Sequence, residues 1–158
     1  MLHSSPNDVV RRLERLLREE AETRRTLAEY RKAWIDASIK GINAEAAEIN
    51  GFRFHVWIPG LTDNKAIREV LRRATSEHRD LAILAAYRKD ERTIIEASAG
   101  SMAVERGFDA AGLVKALLDE LGGRGGGKRD HATGTTSAEP EEVAVKAWSL
   151  AKRLYASG

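Results

Sequence analysis

The sequence predicts an α+β fold: a long N-terminal helical arm followed by a small mixed β-sheet, with helices packed on one face of that sheet. Three observations support this prediction. The first 40 residues repeat apolar side chains at helical spacing. The later segments alternate between strand-like and helix-like patterns, and a glycine-rich stretch at 122–131 separates two of them. We therefore expect a helical arm at 1–40 and one globular domain at 41–158.

The composition of the 158-residue chain excludes several classes of protein. It has no cysteine, so neither a disulfide framework nor a thiolate metal site is available. No two of its four histidines have the H-x-x-x-H spacing of a zinc site, so we expect no metal and no cofactor. The net charge is only +2, so any basic binding surface must be local. The N-terminus lacks the apolar core of a signal peptide and no apolar run is long enough for a membrane span, so we expect a cytoplasmic protein.

The arm carries one narrow apolar stripe. Alternating steps of four and three residues give a seam in which seven of nine positions are apolar: Val9, Leu13, Leu16, Glu20, Thr23, Leu27, Tyr30, Trp34 and Ala37. A seam of about four heptads is typical of a coiled coil, and it must be buried against a second copy or against the rest of the chain. We favour a homodimer, with Trp34–Ile39 docking onto the body, although Glu20 and Thr23 interrupt a strict two-stranded zipper. The residues expected at the dimer interface are Leu13, Leu16, Leu27, Tyr30 and Trp34.

The arm is also rich in arginine. Its bases are interleaved with glutamates, as in Glu14 and Arg18 one turn apart. This pattern favours a solvated helical face, stabilised by pairs of opposite charge, over a surface that follows RNA phosphates.

The body begins with a strand and a helix. Aromatic and branched residues alternate in 51–60 (GFRFHVWIPG), which predicts a strand. Residues 62–79 form an amphipathic pattern typical of a helix, with Thr62 or Asp63 as its N-terminal cap.

The rest of the body predicts a hairpin, two helices and a short strand. The apolar run at 80–90 and the segment 92–100 are expected to pair as a hairpin. A helix is expected at 109–123, ended by two glycines, and a last helix at 138–158. Between them, 131–136 (HATGTT) is expected to add a strand at the edge of the sheet.

The glycine-rich stretch (GGRGGGKRDH) is predicted to be a loop. Gly122 and Gly127–Lys128 match the first part of a P-loop, G-x-x-x-x-G-K, but Arg129 stands where a P-loop has the Ser or Thr that holds magnesium. A P-loop also leads from a strand into a helix, whereas this stretch leaves a helix. We therefore do not expect nucleotide hydrolysis by this segment.

A different interpretation of the same stretch is contact with an anion or a nucleic acid. Glycines permit close approach of the backbone to a partner, and successive amides in a turn can form an anion-binding concavity. The alternative is a flexible surface loop with incidental charge. The residues predicted to bind nucleic acid are Gly122, Gly123, Arg124, Gly125, Gly126, Gly127, Lys128, Arg129 and His131. Trp57 or Trp148 could add stacking, but each is favoured as a core or interface residue.

The segment 108–136 resembles the C-terminal domain of alanyl-tRNA synthetases, which belongs to the DHH-associated family. The family pattern is a helix of the type AGELVKxLAxxxGGxGGGxPxxAxG, followed by an edge strand and a last helix. The matching positions are Ala111, Gly112, Leu113, Val114, Lys115, Gly122, Gly123, Gly125, Gly126, Gly127, Ala132 and Gly134. The chain departs from the pattern at Arg129, where proline is common, at Thr133, where glutamine is frequent, and at Thr135 and Thr136, which replace glycines.

The resemblance implies a tRNA-binding module. In that family the domain contacts the outer corner of the tRNA L, helps to bring the aminoacylation and editing centres onto one tRNA, and in some lineages mediates dimerisation. The implied partners are tRNA, above all the tRNA for alanine, and a second copy of the chain. The implied catalytic centres lie in other domains, so this chain alone is not expected to be an enzyme.

Two other functions remain open. The DHH-associated domain also serves as the substrate-holding lobe of phosphoesterases that act on single-stranded nucleic acid or dinucleotides. Those enzymes need an Asp-His-His metal motif, and Asp130–His131 is not followed by a second histidine. A purely structural coiled-coil module would explain the seam but not the glycine stretch.

Overall fold

The computed structural model describes residues 6–60 and 63–156 and confirms the α+β fold. The helices are α1 (Pro6–Glu45), α2 (Asn64–Glu77), α3 (Ser101–Glu105), α4 (Ala110–Leu121) and α5 (Pro140–Tyr155). The strands are β1 (Ala47–Ile49), β2 (Phe52–Trp57), β3 (Leu81–Lys89), β4 (Arg92–Ala99), β5 (Arg124–Gly127) and β6 (His131–Thr136). No helix in these described ranges combines the length and the apolarity needed to cross a bilayer.

The six strands form one mixed sheet in the order β1-β2-β3-β4-β6-β5. Strands β2 and β3 run parallel and are connected through α2, whereas all other neighbours are antiparallel. The predicted hairpin of β3 and β4 is confirmed, and Asp90 takes a positive φ of 57° in its turn. Asp63 is confirmed as the cap of α2, since its carboxylate accepts from the amides of Lys65 and Ala66, while Thr62 lies outside the described residues.

Helices cover both faces of the sheet, so the expectation that they pack on one face was wrong. The central strand β3 is buried on both sides, which explains its continuous apolar sequence. Its residues Leu81, Ile83, Ala85 and Tyr87 pack with α1 and α2. Its residues Ala82, Leu84 and Ala86 pack in a second cluster with α4 and α5.

Helix α1 is one continuous helix that passes through the boundary expected at residue 40. Its last part docks on the body through Ile35, Ile39 and Ile42, which are buried, and Trp34 packs against Trp57 with ring centroids 5.9 Å apart. Docking near residues 34–39 was therefore predicted correctly. The buried positions, however, differ from the predicted seam, because the seam residue Ala37 is exposed.

Two short elements were missed. Strand β1 pairs with β2 through a turn in which Asn50 and Gly51 have φ of 47° and 91°. Asn-Gly is the preferred dipeptide of a two-residue hairpin turn, so the signal was present in the sequence. Helix α3 is the other, and the amides of its second and third residues, Met102 and Ala103, donate to the carbonyl of Arg79.

Part of the glycine-rich stretch, Arg124–Gly127, is a strand, so the assignment of the whole stretch as a loop was wrong. Strand β5 pairs residue by residue with β6 and forms the edge of the sheet. Strand β6, which was expected at the edge, lies instead between β4 and β5. Glycine is depleted in strands because it has no side chain to pack, and this is why strand patterns missed β5.

Candidate nucleic-acid interface

The α2 side of the sheet contains a groove. Helices α1 and α2 pack over β2 and β3, whereas β4, β6 and β5 extend beyond α2. Two cavities of about 580 and 300 Å³ lie along the groove between α2 and these outer strands. Arg68 and Glu96 line both cavities and therefore lie at the middle of the groove.

One row of three residues crosses the open strands. Glu96 on β4 pairs with Thr133 on β6, and Thr133 pairs with Gly126 on β5. Directly paired residues of antiparallel strands point to the same face, so all three positions face the groove. Exposure falls along the row, from Gly126 and Thr133, which are exposed, to Glu96, which is 1% exposed.

The glycines in and next to β5 differ in whether the structure requires glycine at their positions. A Cβ atom at Gly123, Gly125 or Gly127 would overlap backbone atoms of β6, so these positions must be glycine for the two strands to pair so closely. At Gly126 the φ lies outside the left-handed region, and no described atom lies within 4 Å of the site of a Cβ. Neither packing nor backbone conformation within the chain therefore requires glycine at Gly126, which faces the groove.

The hairpin turn after β5 is tied to α4. The carbonyls of Lys128 and Arg129 accept from the first amides of α4, those of Ala111 and Ala110, at 3.0 and 2.8 Å. The amide of Lys128 donates to the carbonyl of His131 at 2.7 Å. The amide of Lys128 therefore closes the hairpin and is not free to bind an anion. The side chains of Arg124, Lys128 and Arg129 are exposed.

His131 lies at one end of the groove, beside Asp130. Its Nδ1 lies 3.1 Å from Oγ of Ser98, a partly buried contact that holds the ring against β4. Four of the nine predicted site residues line the groove: Arg124, Gly125, Gly126 and His131. The other five line neither cavity: Gly122, Gly123, Gly127, Lys128 and Arg129.

Three arginines of this groove were missed by sequence reasoning. Arg68 and Arg72 lie one turn apart on α2, and Arg79 follows the helix. Arg72 pairs with Glu69 at 2.6 Å, and Nε of Arg79 donates to Oγ of Ser101 at 2.8 Å. The spacing of four residues between Arg68 and Arg72 was a readable signal, because it places both side chains on one side of a helix, whereas Arg79 lies beyond the helix end.

Glu96 was also missed. The hydroxyl of Tyr87 donates to its Oε1 at 2.8 Å, and Nε of Arg68 lies 3.6 Å from the same oxygen. Burial, and then the bond to this carboxylate, raise the pKa of Tyr87, so that Tyr87 remains a donor. Within the described residues, Oε2 of Glu96 has no hydrogen-bond partner. The sequence signal was a glutamate placed directly between two isoleucines and an alanine in a predicted strand.

The tryptophans pack inside the domain. Trp148 stacks on Phe54 with ring centroids 5.7 Å apart and an interplanar angle of 13°, and Nζ of Lys152 lies over its outer face. Trp57 contacts Trp34. Both residues are therefore core or interface side chains, as favoured by the sequence.

Most of the predicted dimerisation residues lie on the free part of the arm. All of residues 6–33 are exposed. Leu13, Leu16, Leu27 and Tyr30 are 55%, 58%, 62% and 71% exposed, which is high for large apolar side chains. Trp34 is the exception, because it docks on Trp57.

The fold and the groove define a small α+β domain in which a glycine edge strand borders a partly basic groove. The sequence family of the DHHA1 domain matches residues 52–153, and the chain belongs to this family. This confirms the resemblance to the DHH-associated domain of alanyl-tRNA synthetases.

Two of the chain's relatives are alanine–tRNA ligases. The enzyme of Hyperthermus butylicus is 33% identical over 126 residues, which cover 80% of this chain and 14% of the relative. The enzyme of Aeropyrum pernix is 30% identical over 122 residues, which cover 77% and 13%. The chain thus spans about a seventh of the length of these relatives.

Solved structures show the same fold. The C-Ala domain of Aquifex aeolicus alanyl-tRNA synthetase aligns with a TM-score of 0.61 and 18% identity, over 72% of this chain and 99% of that domain. RecJ of Thermus thermophilus aligns with a TM-score of 0.53 and 14% identity, over 82% of this chain and 19% of RecJ. At such identities the likeness concerns the fold alone.

Proposed function

We propose that this chain is a non-catalytic domain that binds tRNA for an alanine–tRNA ligase, while other domains carry out aminoacylation and editing. The observation that carries the proposal is the groove, with Gly126 open at its edge and basic side chains along it. The ligase relatives support tRNA as the RNA in question.

The charge around the groove is suited to a phosphate backbone. Arg68, Arg72 and Arg79 line one cavity and Arg124 lines the other, against the acids Glu96 and Asp130. Lys128 and Arg129 extend the positive surface beyond the end of the groove. Phosphate contacts of this kind dominate affinity and make it salt-dependent. The shape of a folded RNA would supply the selectivity.

A gel-shift titration tests the proposal. The probes are the tRNA for alanine, an unrelated tRNA and a single-stranded RNA, each at two salt concentrations. We expect both tRNAs to bind more tightly than the single strand, and binding to weaken as salt rises. Preference for the single strand would instead favour a substrate-holding lobe of a phosphoesterase.

Charge reversal locates the site. The double variant Lys128→Glu and Arg129→Glu should weaken tRNA binding by about tenfold or more, because two phosphate contacts are replaced by repulsion. A matched control is Lys115→Glu with Lys152→Glu, two exposed changes on helices that cover the opposite face. If the two folded double variants bind tRNA equally well, the turn after β5 is not part of the interface.

The exposed arm supports the second part of the proposal, pairing with another copy of the chain. Residues 6–33 extend about 40 Å as a helix and keep their apolar seam in solvent. A stripe of this kind is stable when it is buried against a similar stripe. The partner would be α1 of a second chain, which pairs with this helix in a parallel or an antiparallel orientation.

A further inference from the structure

Glu96 is the feature of the groove that binding to phosphates does not use. Its Oε2 is buried and accepts no hydrogen bond from the described residues, although burying a carboxylate oxygen without a partner is unfavourable. The other oxygen is held by Tyr87. The cavity lined by Glu96, Ser98 and His131 is large enough, at about 580 Å³, to admit a small ligand or one nucleotide.

The surroundings restrict what can approach Oε2. A free cation would be repelled by Arg68, Arg72 and Arg79, and a simple anion would be repelled by Glu96. A suitable ligand presents N–H donors to the carboxylate and carries its negative charge outward, towards the arginines. A nucleotide has this arrangement, with donors on its base and charge on its phosphate.

We propose that this cleft is a base-reading subsite, in which Oε2 of Glu96 accepts from the N–H groups of one unstacked nucleobase while the arginines of α2 face its phosphate. The subsite rests on the proposed RNA-binding function. Guanine fits best, because it presents two adjacent N–H donors. Uracil fits worst, because its single N–H is flanked by carbonyl oxygens that a carboxylate repels. Proteins commonly recognise single-stranded or extruded bases through hydrogen bonds to the Watson–Crick edge, which carries these N–H groups.

The test uses GMP and UMP as probes, titrated into the whole chain and followed by heteronuclear NMR. The wild type should bind GMP at least about tenfold more tightly than UMP, as expected for a hydrogen bond to a charged acceptor. In Glu96→Gln the amide oxygen can keep the bond from Tyr87, which turns the NH₂ group into the cleft. This variant should lose the preference for GMP or favour UMP.

A second variant does not depend on the buried position. Arg72 lines the same cavity, pairs with Glu69 rather than Glu96, and keeps 67% of its side chain accessible, so Arg72→Glu should fold. It should weaken GMP and UMP binding by a similar factor, about tenfold, and leave their ratio unchanged, because it acts on the phosphate rather than on the base.

The outcomes separate this inference from the proposed function. If the chain binds tRNA but neither mononucleotide, or binds both equally in wild type and Glu96→Gln, the subsite is wrong and RNA binding stands. If the cleft binds free alanine and no nucleotide, it is an amino-acid site and the inference fails. If neither tRNA nor any mononucleotide binds, both proposals fail.

Discussion

Arg53 and Asp80 form a two-point ion pair that joins three elements of the domain. Nε and Nη2 of Arg53 lie 2.9 and 3.1 Å from the two carboxylate oxygens of Asp80. Nη1 of Arg53 also donates to Oδ1 and to the carbonyl of Asn43, at 2.7 and 3.1 Å. Because Asn43 lies in the last turn of α1, Arg53 on β2 connects the arm to the start of β3.

This pair should make stability depend on pH. Hydrogen bonds from Arg53 are the main reason that the pKa of Asp80 lies below its ordinary value. A lowered folded-state pKa contributes stability above the unfolded pKa near 3.8, and this contribution is lost as pH falls through the folded pKa. Asp80→Asn should therefore lower the free energy of unfolding by about 1 kcal/mol at pH 7, and by less below pH 4. Urea unfolding at several pH values measures this change in the free energy of unfolding. The control is Asp119→Asn, at an exposed site on α4. A difference from wild type that stays constant down to pH 3 would contradict this account.

The glycines of β5 should respond differently to the same substitution. A Cβ at Gly125 would overlap the carbonyl oxygen of Thr133 and the Cα of Gly134, so Gly125→Ala should lower stability by about 2 kcal/mol. Gly126 has open space around the Cβ site, so Gly126→Ala should change stability by less than about 0.5 kcal/mol. If RNA approaches the backbone there, Gly126→Ala should nevertheless weaken tRNA binding severalfold. Thermal melts measure the stability of both variants, and gel shifts measure their tRNA affinity. Full tRNA affinity in a stable Gly126→Ala variant would show that RNA does not approach the backbone at this position.

The glycine stretch also shows what the sequence could and could not predict. The helices and the apolar strands could be predicted from the periodicity of apolar residues, because burial of one face or of both faces determines that periodicity. Strand β5 could not be predicted from periodicity. It pairs with β6 because its glycines have no side chains, which lets the two backbones approach closely. The seam of the arm was partly misplaced for a related reason. Ile35, Ile39 and Ile42 are buried against the body, and a seam extrapolated from the free arm does not show where the helix meets that body.

The groove was predicted only in part. Arg124, Gly126 and His131 are close in sequence, so a local motif could group them. Glu96 and Arg68 come from distant elements, β4 and α2, and they meet only through the packing of the helix on the sheet. Their individual signals, a charge in an apolar strand and a basic stripe on a helix, did not reveal that they share one site.

The arm should control the oligomeric state of the chain. Leu16→Glu combined with Leu27→Glu places charges in the proposed seam and should convert a dimer into a monomer without unfolding the body, because both residues are exposed in the single chain. Light scattering coupled to size exclusion measures the mass, and Ala21→Glu, at an exposed position outside the seam, is the control. Trp34→Ala should instead lower stability, because Trp34 packs on Trp57. An unchanged mass in the double leucine variant would rule out pairing through the seam.

Asp63 allows a cap and an ion pair to be separated. Its Oδ1 accepts from the amides of Lys65 and Ala66 at 3.1 and 3.2 Å, and also from Nη2 of Arg31 on α1 at 2.9 Å. Asp63→Ala removes both interactions and should lower the free energy of unfolding by about 1 kcal/mol. Asp63→Ser keeps a capping oxygen without the charge, and should recover most of this loss, since an exposed ion pair contributes little. Arg31→Gln, which removes only the ion pair, should be nearly neutral in urea unfolding. If Arg31→Gln and Asp63→Ser are instead as unstable as Asp63→Ala, the contact between the arm and α2, rather than the cap, stabilises this end of the helix.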